Sequence, residues 1–177
     1  MELPVERLVA YGLPPALVET LSASGVTTLR GPQARAVLSG DLFSSEHLLV
    51  HLPTSSGKTL LGELAALSAI LAGKKALFAV PLKALAEEKY AEWRRRYADY
   101  GLSVVCSTAD HDQDDARLCR GEFDLGVVIY ESCVISGARP GFFGRSEWWF
   151  GTRCRCSSTR VAAPCSSSSW RICGRAT

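Results

Sequence analysis

The chain has 177 residues, long enough for one domain with a substantial core and short for two. Its 47% hydrophobic and 21% charged residues are ordinary globular usage, and a net charge of +2 supplies no global field to draw in nucleic acid or a membrane. No apolar run approaches the roughly 20 residues of a spanning helix, and Met1 is followed by Glu2 and Glu6 rather than by a basic start and an apolar stretch, so a soluble, cytoplasmic chain is expected.

Taken in order, Leu3–Tyr11 and Pro14–Ser24 read as short helices: Pro14 and Pro15 suit a first turn, and Gly12 and Gly25 suit stops. The apolar run from His47 to Leu52 reads as a strand, and Lys58–Leu71 as a helix ending near Gly73. A strand over Lys75–Val80 follows, then a long helix over Leu82–Tyr100 with a charged face, closed by Gly101. Leu102–Ser107 reads as a third strand. After a polar loop, a weak helix is expected near Ala116–Arg120 and a fourth strand over Asp124–Tyr130. Short apolar strands alternating with helices predict an α/β fold, a parallel sheet covered by helices on both faces, with binding at the carboxyl ends of its strands.

Composition breaks late in the chain. All 22 leucines precede residue 126. From Gly144 to Thr177 there are six Arg, no Lys, a single acid (Glu147), seven Ser, four of the seven Cys and three of the four Trp, a net of +5. The 143 residues before it hold 14 bases and 17 acids, a net of −3. The two parts do not read as one protein.

Between the first strand and its helix stands Pro53-Thr-Ser-Ser-Gly-Lys-Thr59. A tight loop of this kind turns backbone N–H groups onto phosphates, and the helix N-terminus adds partial positive charge. Gly57 allows close approach, Lys58 would reach the β- and γ-phosphates, and the Thr59 hydroxyl would bind Mg²⁺. The general pattern has a Gly five residues before Gly57, where this chain has Leu52.

Pro53–Thr59 with the following Leu60-Leu-Gly-Glu-Leu-Ala65 resembles motif I of superfamily 2 DEAD/DEAH-box-type helicases, in their Ski-like and archaeal Hel-type branch. Pro81-Leu-Lys-Ala-Leu-Ala-Glu-Glu-Lys-Tyr90 resembles that branch's motif Ia and its helix, and Ser107-Thr-Ala-Asp-His111 the segment after the third strand. Tyr11–Pro14 and Leu29–Ala36, with Gln33, resemble the N-terminal helices and the adenine-reading glutamine. The resemblance covers about Met1 to Glu131. It implies a RecA-like P-loop lobe, here incomplete, and ATP-driven movement along or unwinding of DNA or RNA by a monomer. In that reading Gln33, Pro53, Thr54, Ser55, Ser56, Gly57, Lys58 and Thr59 hold ATP, Thr59 also holds Mg²⁺, and Pro81, Leu82, Lys83 and Thr108 touch the nucleic acid. Two positions depart from the family: Ser132 stands where a Lys follows the Glu, and Leu52 where a small residue is usual.

The family also needs an Asp-Glu pair, the Asp for Mg²⁺ and the Glu for the attacking water, at about Trp148–Cys154. No such pair is present, so the chain as translated has no catalytic residues. A frameshift near Gly144 accounts for this. Trp148 and Trp149 fix their codons, and dropping two bases forces Val-Val. Thr152–Cys156 then admits a shifted reading of Asp-Glu-Val-Gln-Met, at the cost of one Arg or Trp between the two. The nucleotide sequence from the Tyr130 codon beyond the Thr177 codon checks this. A second frame running through Asp-Glu-Val-Gln into further helicase motifs is the expected result, and its absence would sink the frameshift.

The segments expected are 1–46, N-terminal helices with the adenine-reading residue; 47–143, a truncated first lobe; and 144–177, an aberrant tail, disordered over most of Gly151–Thr177. No zinc site is expected, because Cys154, Cys156, Cys165 and Cys173 lack the two close pairs of such sites. Asp110, His111, Asp112, Asp114 and Asp115 read as a solvated loop capping a short helix rather than as metal ligands. Two other functions stay open from the sequence: a nucleotide- or nucleic-acid-binding module without turnover, and an unrelated P-loop phosphotransferase.

Overall fold

The computed structural model describes residues 2–43, 50, 56–108 and 111–129, and the strands Trp148–Gly151, Ala162–Ala163 and Arg171–Ile172. All of the strand expected over 47–52 except Val50 lies outside them, as do the loop residues Pro53, Thr54 and Ser55, Asp110 and the four tail cysteines.

Two short strands, β1 (Leu3–Pro4) and β2 (Thr28–Leu29), form an antiparallel pair that clips the N-terminal segment closed. Between them lie a 3₁₀-helix, Val5–Tyr11, and helix α1 (Pro15–Ala23). The short helix expected over Leu3–Tyr11 is present as a 3₁₀-helix over Val5–Tyr11, and its first two residues form a strand instead. Leu3 is drawn into the ladder with Leu29, and the Val5 N–H bonds the Thr27 carbonyl at 3.1 Å. Three residues per turn then put Val5 and Leu8 on one buried face. Helix α2 (Gly31–Leu38) follows, then α3 (Lys58–Leu71). Leu61, Leu64 and Ala65 of α3 share one core with Leu8, Leu21 and Val37, so the N-terminal helices rest on the helix that follows the phosphate loop.

The main sheet contains β3 (Ala76–Val80), β4 (Val104–Ser107), β5 (Leu125–Ile129) and β6 (Trp148–Gly151), in the order β4-β5-β3-β6 with every pairing parallel. Successive strand residues face opposite sides. Phe78, Val80, Cys106 and Val127 pack on one side with Leu67 of α3 and with Ala86 and Trp93 of α4 (Lys83–Arg96). Leu77, Ala79, Val105 and Val128 pack on the other with Leu118 of α5 (Asp112–Arg120) and Phe123. Burial on both faces is why these strands read as continuous apolar runs rather than as alternation. The α/β fold with helices on both faces is as the sequence predicts.

The helix expected over Leu82–Tyr100 is an α-helix to Arg96 and a separate 3₁₀ turn over Ala98–Tyr100, ended by Gly101 in the left-handed conformation. Helix α3 approaches the sheet at a residue without a side chain: a Cβ on Gly62 would lie 2.8 Å from Cε2 of Phe78. Phe78 in turn meets Trp93 edge to face, with ring centroids 4.8 Å apart. Strand β6, in the tail, pairs Trp148 with Ala76 and Phe150 with Phe78. Further on, Ala162–Ala163 and Arg171–Ile172 form a two-residue antiparallel pair. No helix among the described residues is long and apolar enough to cross a membrane.

Candidate nucleotide and nucleic-acid site

The sheet is parallel, so Val80, Ser107 and Ile129 end at one edge, where ligands bind in folds of this class. Helix α3 packs along β3 and leads into its start through Gly73, which puts the first turn of α3 towards that same edge.

Gly57 precedes α3 with φ +77°, a conformation that favours glycine. Gln33 of α2, 4% exposed, lies against it. The Gln33 Nε2 donates to the Gly57 carbonyl at 3.2 Å, and its Oε1 accepts from the Arg30 N–H at 2.8 Å. The fit leaves no room, since a Cβ on Gly57 would lie 1.9 Å from Gln33 Nε2. The structure thus joins Gln33 to the phosphate-loop residue, although 24 positions separate them. Ser56, Lys58 and Thr59 are half-buried around the N-terminus of α3, where the helix end favours an anion.

Pro81 and Leu82 lead from the end of β3 into α4, and Lys83 is its first residue. Leu82 is 62% exposed, a large apolar side chain left facing solvent. Thr108 follows β4 but is buried, and its hydroxyl donates to Oε1 of Glu87 on α4. The other Glu87 oxygen, Oε2, lies 2.8 Å from Nε2 of His111, whose ring stands edge-on to Tyr90 at 4.9 Å. Cys106, on the same sheet edge, is fully buried, and its thiol is pushed up to about 12 by burial and then by the Glu87 carboxylate. Asp114 of α5 accepts from the Cys106 N–H at 3.1 Å, supplying a partner on the outer side of edge strand β4.

The sequence did not single out Glu87 or Cys106. Glu87 reads as one more charge on a helix surface, and its partners lie 21 and 24 positions away. A second network was equally hidden. Glu63 of α3, 5% exposed, accepts from Arg96 and from the Tyr97 hydroxyl, each at 2.5 Å. Its one sequence signal is an acid on the face of α3 that otherwise carries Leu64 and Leu67.

The family model for DEAD/DEAH box helicase matches residues 31–135. Among similar proteins is the ATP-dependent DNA helicase Hel308 of Methanocaldococcus jannaschii, 43% identical over 105 residues, which are 56% of this chain and 9% of that protein. The Hel308 of Pyrobaculum calidifontis is 45% identical over 129 residues, 72% of this chain and 18% of that one. The chain therefore spans less than a fifth of the length of these relatives. Among solved structures, the DUF1998 helicase MrfA, crystallised with DNA and AMPPNP, superposes with a TM-score of 0.58 over 78% of this chain and 20% of that one. At 20% identity the last likeness speaks to the fold alone. With the family model matching more than half of its length, the chain belongs to the DEAD/DEAH box helicase family.

Proposed function

We propose that this chain is the ATP- and nucleic-acid-binding part of the first lobe of an ATP-dependent DNA helicase, and that as translated it binds without turning over. The observation that carries the reading is the junction of Gln33, Gly57 and Lys58. A buried amide fixes a left-handed glycine at the mouth of a helix whose first residues are Lys58 and Thr59. That arrangement suits a triphosphate: backbone N–H groups and Lys58 meet the phosphates, and Gln33 stands where an adenine edge would be read. The donor set also suits Mg²⁺, since the Thr59 hydroxyl is a hard oxygen in the first turn. When bound, Mg²⁺ would neutralise charge on the β- and γ-phosphates. Pro81, Leu82 and Lys83 supply the nucleic-acid contact at the neighbouring strand end, where Lys83 can meet a phosphate without reading sequence. DNA is proposed because the Hel308 relatives are named as DNA helicases.

Hydrolysis needs the acid pair, and residues 144–177 contain Glu147 as their one acid. Strand β6 lies beside β3, in the stretch where the shifted reading puts its Val-Val, and this supports a motif II strand continued in the wrong frame.

The test is binding of a fluorescent ATP analogue to the full chain, together with ATP turnover with and without single-stranded DNA. The wild-type chain should bind the analogue, and Lys58→Ala should weaken binding by about tenfold or more, roughly 1.4 kcal/mol. Turnover should stay at background in both. Failure of the wild type to bind would overturn the nucleotide site. A DNA-stimulated ATPase lost in Lys58→Ala would overturn the absence of turnover.

A further inference from the structure

Glu87 of α4, Cys106 of β4 and His111 of the loop before α5 bring a carboxylate, a thiol and an imidazole together, their ligand atoms all within 4.8 Å of one another. We propose that these three side chains form a Zn²⁺ site with an open fourth position, tying β4 and His111 to α4. The site does not depend on nucleotide binding.

The donor set selects the ion. A thiolate and an imidazole suit a borderline-soft cation and are poor ligands for Mg²⁺ or Ca²⁺. Three protein ligands with a fourth position for water is a common zinc arrangement. Ligand atoms around tetrahedral zinc lie about 3.3–3.8 Å apart, given bonds of about 2.0–2.3 Å. The present spacing brackets that range: Glu87 Oε2 and His111 Nε2 are closer, at 2.8 Å, and the full set reaches no further than 4.8 Å. An ion entering between Glu87 and His111 would part them by about half an ångström and draw the Cys106 sulfur in, within the reach of small side-chain rotations.

Each ligand is also held by a second contact. The Thr108 hydroxyl bonds Oε1 of Glu87, and Oε2 is the oxygen that faces His111. The ring of Tyr90 stands against that of His111. Cys106 sits on a strand whose N–H is fixed by Asp114, and the His111 N–H bonds the Thr108 carbonyl at 2.9 Å. Supports of this kind orient the ligands of metal centres. Zinc would bind the sulfur as thiolate, releasing one proton from Cys106 to solvent. The ligands come from three elements, so the spacing that spoke against zinc at the tail cysteines bears on none of them.

Cobalt titration of the metal-free full chain tests the site. One equivalent of Co²⁺ should give the thiolate-to-cobalt charge-transfer absorption and tetrahedral ligand-field bands, both removed by added Zn²⁺. Cys106→Ser should abolish the charge-transfer band. His111→Ala, which removes a partly exposed ring and threatens the core less, should weaken Co²⁺ binding by roughly tenfold or more. Cys154→Ser with Cys156→Ser should leave the bands in place. Zn²⁺ should raise the melting temperature of the wild type and not that of His111→Ala. Absence of the bands from the wild type overturns the proposal. So does their persistence in both Cys106→Ser and His111→Ala, or their loss on changing the tail cysteines alone.

Discussion

Gly57→Ala should cost this chain both stability and nucleotide binding. At φ +77° any L side chain is strained, by about 1–2 kcal/mol. The added Cβ would also lie 1.9 Å from Gln33 Nε2. The amide it meets is the end of the flexible Gln33 side chain and can swing aside, but Gln33 is buried and both polar atoms of the amide are engaged. Moving it strands the Arg30 N–H and the Gly57 carbonyl, at about 1–3 kcal/mol. The two terms together predict a loss of about 2–5 kcal/mol in urea unfolding. Affinity for an ATP analogue should fall by more than about tenfold, because the same residue shapes the phosphate loop and holds the amide proposed to read adenine. A double-mutant cycle with Gln33→Ala separates the two causes. If the collision with Gln33 matters, the two losses are not additive and Gln33→Ala relieves part of the Gly57→Ala cost. Strict additivity would mean that strain at φ acts alone, and wild-type analogue binding by Gly57→Ala would remove Gly57 from the site.

Much of this lobe is legible in the sequence wherever the signal is local. Helix α3 runs from Lys58 to Leu71 as expected, because Gly57 and Gly73 punctuate an apolar period between them. Strands β3 and β5 lie inside the apolar runs that announce them, and Gly101 ends the long helical segment at the expected place. Long-range pairing was not legible. The ladder between Leu3 and Leu29 drew the first two residues of the expected helix into a strand and left the rest a 3₁₀-helix, and nothing around Leu3 signals a partner 26 positions away. Helix α5 begins at Asp112, well before the expected Ala116. Its opening turn is acidic, which suits a helix N-terminus electrostatically but carries no apolar period to detect. At the site, motif spacing indicates Gly57, Lys58 and Lys83, whereas the inward turn of Glu87 and the meeting of Cys106 with His111 are products of tertiary packing.

Glu63→Ala should be among the most destabilising single changes on α3, about 3–5 kcal/mol by urea unfolding at neutral pH. Glu63 is the carboxylate between α3 and α4, with its side chain 6% exposed and that of Arg96 14% exposed. Removing it leaves a guanidinium and the Tyr97 hydroxyl without their shared acceptor in a site already withdrawn from water. Burial, followed by the Glu63 charge, raises the Tyr97 phenol far above its ordinary value, so it stays protonated and donating across the working pH range. Glu92 completes the network through Lys89 and Arg96. Burial alone would raise its carboxyl, but those two cations hold it below the usual range. Its contribution is thus present at neutral pH and lost as pH falls through the lowered value. The same chain supplies the contrast, since the exposed pair of Arg120 and Glu122 has good geometry and lies in full solvent. Glu122→Ala should be silent within error. The difference rests on burial rather than distance, because a pair in water exchanges one set of good contacts for another. Helices α3 and α4 begin at Lys58 and Lys83, so the Glu63–Arg96 pair ties together the two helices that carry the residues proposed to bind nucleotide and nucleic acid. A loss below about 1 kcal/mol in Glu63→Ala would place the pair with the surface class and leave the apolar contacts of Leu67, Phe78 and Trp93 to hold the two helices on the sheet.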